Sequence, residues 1–222
     1  MEHRTRRVVA ALFAALVISS ATAAVASAHA PSGDRLDLLR AAIATARFHS
    51  TAQATSAGYG PFPAGVPLHE CISSLDNTGA MGFHWLNAAN LTTNLDPTKP
   101  QVLVYAPDRR GNLHLVALEY VVFQSDWKAA HGDTTPMIFG QMFMATGEPN
   151  RYQIPAFYSL HVWLWRYNPS GLYAPFNPDV SCDPGSGGHA GPWWDGRADV
   201  DRDPLAASRA QFVCTMGSSM QM

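Results

Sequence analysis

The stretch "QVLVYAPDRRGNLHLVALEYVVF", residues 101–123, decides the fold. Two runs rich in Val, Leu and Tyr flank the connector "DRRGN". β-Branched and aromatic side chains suit a pleated surface, and a short polar connector with Gly suits a hairpin. In the second run Leu113, Leu115, Ala117, Glu119, Val121 and Phe123 share a face by period-two alternation, and Val116, Leu118, Tyr120 and Val122 take the other. A run apolar on both faces reads as a central strand. Glu119 interrupts one of those faces, and a buried lone carboxylate costs several kcal/mol unless it is paired, protonated or metal-bound.

Working outward, "AMGFHWLN" (80–87), "MIFGQMFM" (137–144) and "AFYSLHVWLWR" (156–166) read as further strands, and "SDWKAAHGD" (125–133) as a helical turn. Upstream, Leu36, Leu39, Ile43 and Ala46 recur at helical spacing, which predicts a helix from Asp34 to about Ala57. Asp34 suits the cap, Asp37 the first turn, and Gly58 the stop. One helix plus several antiparallel strands gives an α+β domain over residues 34–182. The expected form is an N-terminal helix packed on a curved antiparallel sheet or half-barrel, a shape that offers a pocket on its concave face.

The chain ends differ in texture from this core. Arg4, Arg6 and Arg7 precede the apolar run Val8 to Ile18, and small residues lead to Ala28 and Ala30. That order is a secretory signal peptide over residues 1–28, and the run is too short to span a membrane. The expected localisation is therefore secreted or extracytoplasmic, with no stable membrane span after cleavage. Residues 183–222 are rich in Gly, Asp and Pro and read as a loosely ordered C-terminal tail. Within that tail Asp199, Asp201 and Asp203 alternate as at the start of a calcium loop, but Pro204 stands where the sharp-turn Gly is required.

Three cysteines lie beyond the signal, and export permits disulfides. Cys71 and Cys182 each end a patterned segment, so these two are expected to pair, leaving Cys214 in the tail. Charged residues are only 14% of the chain and the formal net charge is −2, with no basic patch. Nucleic acid is therefore not an expected partner. No C-x-x-C and no G-x-S-x-G occurs, which removes the thioredoxin-type site and the serine elbow.

Histidine repeats the anomaly of Glu119. His161 lies on a strand face with Phe157, Ser159, Trp163 and Trp165, which reads as an aromatic pocket wall around a polar centre. His84 shares a face with Gly82 and Leu86. A small residue precedes each polar one by two positions: Gly82, Ala117 and Ser159. Such same-face neighbours leave room for something bound.

Two His and one carboxylate are the donor set of non-haem iron, and they also suit zinc, manganese or copper. His84, Glu119 and His161 are therefore candidate ligands of a divalent transition metal. His69 is a further candidate, as is His114 if its strand face is reversed. A Glu–His hydrogen-bonded core pair and an acid/base pair acting on an organic substrate remain open beside the metal.

The segments "GAMGFHWLN", "LVALEYVVF" and "LHVWLWRYNPSGLYAPFNPDVSC" resemble parts of a family of secreted bacterial proteins of unassigned function. The resemblance supports the domain boundaries and implies no activity. Two function classes follow. One is an exported metal-binding protein, a metalloenzyme of unknown reaction on a small molecule. The other is a non-catalytic secreted binding module for an apolar ligand or partner.

Overall fold

A computed structural model describes residues 33–183. The predicted signal peptide, most of the predicted C-terminal tail, the Asp199–Asp203 pattern and Cys214 lie outside the described residues. The described chain is an α+β fold: helix first, then an antiparallel sheet that does not close into a barrel.

The N-terminal helix is split. Helix α1 (Gly33–Thr45) passes into a 3₁₀ turn (Ala46–His49), and α2 (Thr51–Ser56) starts afresh. Ser50 makes the break. It adopts extended dihedrals and its side chain accepts from the Gln53 N–H, so it caps a new helix. The buried stripe is also not the predicted one. Leu38, Ala41, Thr45 and Phe48 are buried, whereas Leu36, Leu39 and Ile43 stay exposed. Small Ala41 and Thr45 let the helix come close, and Thr45 Oγ1 accepts from the Trp165 indole N–H at 3.3 Å.

The strands are β1 (Gly60–Pro61), β2 (Ile72–Ser73), β3 (Ala80–Leu86), β4 (Val102–Pro107), β5 (Leu113–Phe123), β6 (Met137–Ile138), β7 (Gln141–Met142), β8 (Met144–Thr146) and β9 (Phe157–Val162). The main sheet runs β1-β3-β4-β5-β9-β8, with β2 also on β3. The predicted strand 137–144 is instead the β6–β7 hairpin, turned by Phe139 and Gly140 at positive φ, followed by β8. Segment 125–133 is largely helix α3 (Gln124–His131).

The 101–123 stretch forms the central hairpin, and its connector is organised by Asp108. The carboxylate accepts from the Arg110 and Asn112 N–H groups, and Gly111 sits at φ +81. One feature of β5 departs from strict alternation. Val104 pairs with Ala117 but Tyr105 pairs with Leu115, so Val116 is an extra, bulged residue. Leu115 therefore belongs with Leu118 and Tyr120 on the helix side, while Val116 joins Ala117 and Val121 on the other. Beyond the bulge Ala117, Glu119 and Val121 keep one face as predicted.

The disulfide joins Cys71 to Cys182, with Cα atoms 5.5 Å apart and a sequence separation of 111. Closing a loop of that length stabilises the fold by about 4–5 kcal/mol in the chain-entropy model. Cys71→Ser protein is expected to unfold at lower urea by that order, and reductant should do the same to the parent. An unchanged urea midpoint in both would show that the bridge contributes nothing.

Candidate metal centre

The sheet register assembles the site. His161 on β9 stands directly opposite Glu119 on β5. His84 on β3 pairs with Val104, which pairs with Ala117, so His84 sits one row away from Glu119 on the same face. Small Ala117 lies in the same row as His84, beside Glu119 along β5, and leaves space for the imidazole to approach the carboxylate. Glu119, His84 and His161 are 7%, 3% and 3% exposed.

The three side chains offer ligand atoms that all lie within 4.8 Å of one another. His84 Nε2 is 3.5 Å from Glu119 Oε2, and His161 Nδ1 is 3.4 Å from Glu119 Oε1. Hydrogen bonds of this type run about 2.7–3.2 Å. Two ligands about 2.0–2.1 Å from a tetrahedral ion sit about 3.3–3.4 Å apart. Both contacts are long for a hydrogen bond and right for two donors sharing one ion.

The hydrogen-bond pattern around the imidazoles points the same way. His84 Nδ1–H donates to the Gly82 carbonyl at 3.2 Å, which leaves the Nε2 lone pair facing Glu119. A second-shell bond of this kind fixes the tautomer of metal-ligating histidines. His161 Nε2 is buried and has no hydrogen-bond partner among the described residues. Other buried polar groups find theirs: the hydroxyls of Tyr59, Tyr105 and Tyr120 each donate to a backbone carbonyl. This is not the nitrogen that faces Glu119: with Nδ1 turned to the carboxylate, Nε2–H is a buried donor that a bound molecule would satisfy.

Burial sets the protonation states. Desolvation lowers the His84 pKa to about 4, against the pull of the Glu119 carboxylate, with His161 adding to the depression. Desolvation alone lowers His161 to about 3. Glu119 is raised by desolvation, against His84 and the Ser159 hydroxyl that hydrogen-bonds to it. Both imidazoles are thus neutral at pH 7, the form that ligates metals.

Acid should therefore weaken the metal-free fold. Between pH 6.5 and 4 the unfolded chain protonates both imidazoles while the folded chain keeps them neutral. Each costs at most about 1.4 kcal/mol per pH unit. Glu119 acts in the opposite sense: its contribution is present below 4.5 and lost as pH rises through its raised folded value. Two imidazoles outweigh one carboxyl, so the urea midpoint is expected to fall from pH 7 to 5 and more steeply below. A His84→Phe/His161→Phe protein should show a flatter profile. A parent midpoint that rises on acidification would contradict this assignment.

A cavity of about 200 Å³ opens over the three groups. Its floor is His84, Glu119, His161 and Ser159, and its walls are mostly apolar, including Phe62, Leu68, Met81, Tyr152, Phe157 and Phe176. No Lys or Arg among the described residues lines it. Among the described residues, the Glu119 carboxylate therefore has no cationic side chain facing it from the cavity.

The predicted residues fall out as follows. His84, Glu119 and His161 are brought together, and Phe157 lines the cavity. Trp163 and Trp165 are not its walls. Strand β9 ends at Val162, and the Leu164 N–H turns back to the Val162 carbonyl, which stops the alternation. Trp163 packs behind His161, ring centroids 6.3 Å apart, and its indole donates to the Ala174 carbonyl. Trp165 crosses to the helix side and meets His49 edge-on at 4.6 Å.

His69 is not grouped with these three among the described residues; its Nδ1 is engaged by the Phe62 carbonyl. His114 lies beside Asp108 in the hairpin turn at 3.2 Å. The walls from Tyr152 and Phe176 were not foreseen, since loops carry no periodic signal. No family model, curated protein or solved structure matches this chain.

Proposed function

We propose that this chain is an exported protein in which His84, Glu119 and His161 hold one divalent transition metal ion at the floor of an apolar pocket, as a metalloenzyme acting on a small organic molecule. The observation that carries it is a buried carboxylate spaced 3.4 and 3.5 Å from two imidazole nitrogens, with no cationic side chain in the cavity. Structural zinc sites close with four protein ligands, whereas catalytic sites use three and keep a position open. Here three donors group among the described residues, and they face a cavity. The set suits iron(II) as well as zinc, and manganese or copper less specifically.

Export is supported by the order of residues 1–28, by the disulfide, and by the resemblance to secreted bacterial proteins. No helix among the described residues is long and apolar enough to cross a membrane. N-terminal sequencing of protein from culture supernatant tests it, and retention of Met1 would count against it.

The apolar walls favour a second reading, a binding module for an apolar ligand without metal, in which Glu119 is protonated and donates to a histidine. Elemental analysis of protein purified without chelators separates the two. Stoichiometric metal supports the first reading. No metal, and none gained on dialysis against Zn²⁺, Fe²⁺, Mn²⁺ or Cu²⁺, supports the second.

A further inference from the structure

We propose that the molecule this pocket takes is compact and neutral: one aromatic ring, or a branched aliphatic body of similar size, carrying a single oxygen donor at one end. This deepens the metal reading and rests on it. Size comes from the cavity, about 200 Å³. A cavity of about 150 Å³ holds benzene, so this one takes a ring with a short substituent.

Polarity comes from where the lining groups sit. The polar lining groups are neighbours on adjacent strands: Glu119 pairs with His161, Val121 pairs with Ser159, and His84 is one row away. The rest of the lining is mostly apolar, and Leu68 and Met81 pack with Phe62, Tyr152, Ile154 and Phe176 as one cluster. A ligand seated there turns its oxygen to these polar groups, which include the buried His161 Nε2 without a hydrogen-bond partner among the described residues. Charge comes from what the lining omits. With no Lys or Arg and one carboxylate, an anionic group away from the floor would be desolvated without a partner.

The test is calorimetric titration of full-length secreted protein, metal-free and zinc-loaded, with 4-ethylphenol, ethylbenzene and 4-ethylphenyl phosphate. 4-Ethylphenol is expected to bind one to one. Ethylbenzene, lacking the donor, should bind at least about tenfold more weakly, the worth of one hydrogen bond or ligation. The phosphate should bind more weakly still.

Val121→Trp, which fills the cavity from the β5 side, should cut 4-ethylphenol affinity at least about tenfold without changing zinc content. Met144→Trp, at an exposed lining position, should do so without burdening the core. Zinc uptake with no saturable 4-ethylphenol binding in either form would overturn this inference and leave the metal reading standing. Binding of 4-ethylphenol, blocked by both variants, in a protein that takes no metal would leave the ligand class standing and sink the metal reading. Equal binding of ethylbenzene, or preference for the phosphate, would overturn the inference in either form.

Discussion

Glu119→Ala protein, purified without chelators, is expected to retain less than a small fraction of the parent's divalent metal. Losing even a supporting residue costs about 10–100-fold in metal affinity, and Glu119 is the anionic member of the group, so its loss should exceed about 100-fold. The imidazoles that remain are neutral and offer no charge to offset that of the ion. Glu119→Gln is the sharper variant, since it keeps the shape and the hydrogen bonds while removing the negative charge. Metal should be lost to a similar degree. Without metal the Gln variant should be at least as stable as the parent, because a buried carboxylate with no cationic partner costs free energy. Metal retained by the Gln variant would show that the Glu119 charge does not hold the ion, and a parent that carried and gained none would make the centre a hydrogen-bonded core group.

Gly82→Ala is expected to destabilise the protein by about 3–5 kcal/mol, combining left-handed backbone strain with overpacking. Gly82 has φ +118, and a Cβ there would lie 2.3 Å from the Tyr105 carbonyl oxygen. That oxygen belongs to the backbone of β4, whose Tyr105 is fully buried, so it has nowhere to move. The same change disturbs the Gly82 carbonyl that orients His84, so bound metal should fall alongside stability. Gly111→Ala is the control: φ is +81 but nothing lies within 4 Å of the new Cβ. It should cost only backbone strain, about 1–2 kcal/mol. Equal urea midpoints for the two variants would show that close approach to β4 is not what requires glycine at position 82.

The small residues before each polar one turn out to serve different purposes. Gly82 is required by backbone geometry and supplies a carbonyl to His84. Ala117 shares a row with His84 and neighbours Glu119 on the same face of β5. Ser159 hydrogen-bonds to Glu119. The spacing marked the right positions, but a pattern of small side chains does not distinguish room, strain and hydrogen bonding. Only the partners across the sheet do.

The stretch 101–123 determined by itself that an antiparallel hairpin lies at the centre of the sheet, because apolar residues on both faces of a strand must be covered on both sides. It also determined that Glu119 would be buried, for the same reason. The Cys71–Cys182 pairing and the choice of His84 and His161 were legible as well, since each polar residue breaks an otherwise apolar run.

Tertiary structure alone decided the rest. The Val116 bulge and the turn after Val162 break the alternation from which face assignments are read. These breaks moved Leu115 and Trp165 to the helix side. Ser50 and the small Ala41–Thr45 surface, not the larger Leu36, Leu39 and Ile43, set how α1 meets the sheet. The pocket walls come from loops around Tyr152 and Phe176, segments far apart in sequence. Local periodicity reports which residues are buried; which of them meet depends on register and loop closure, and those are properties of the folded chain.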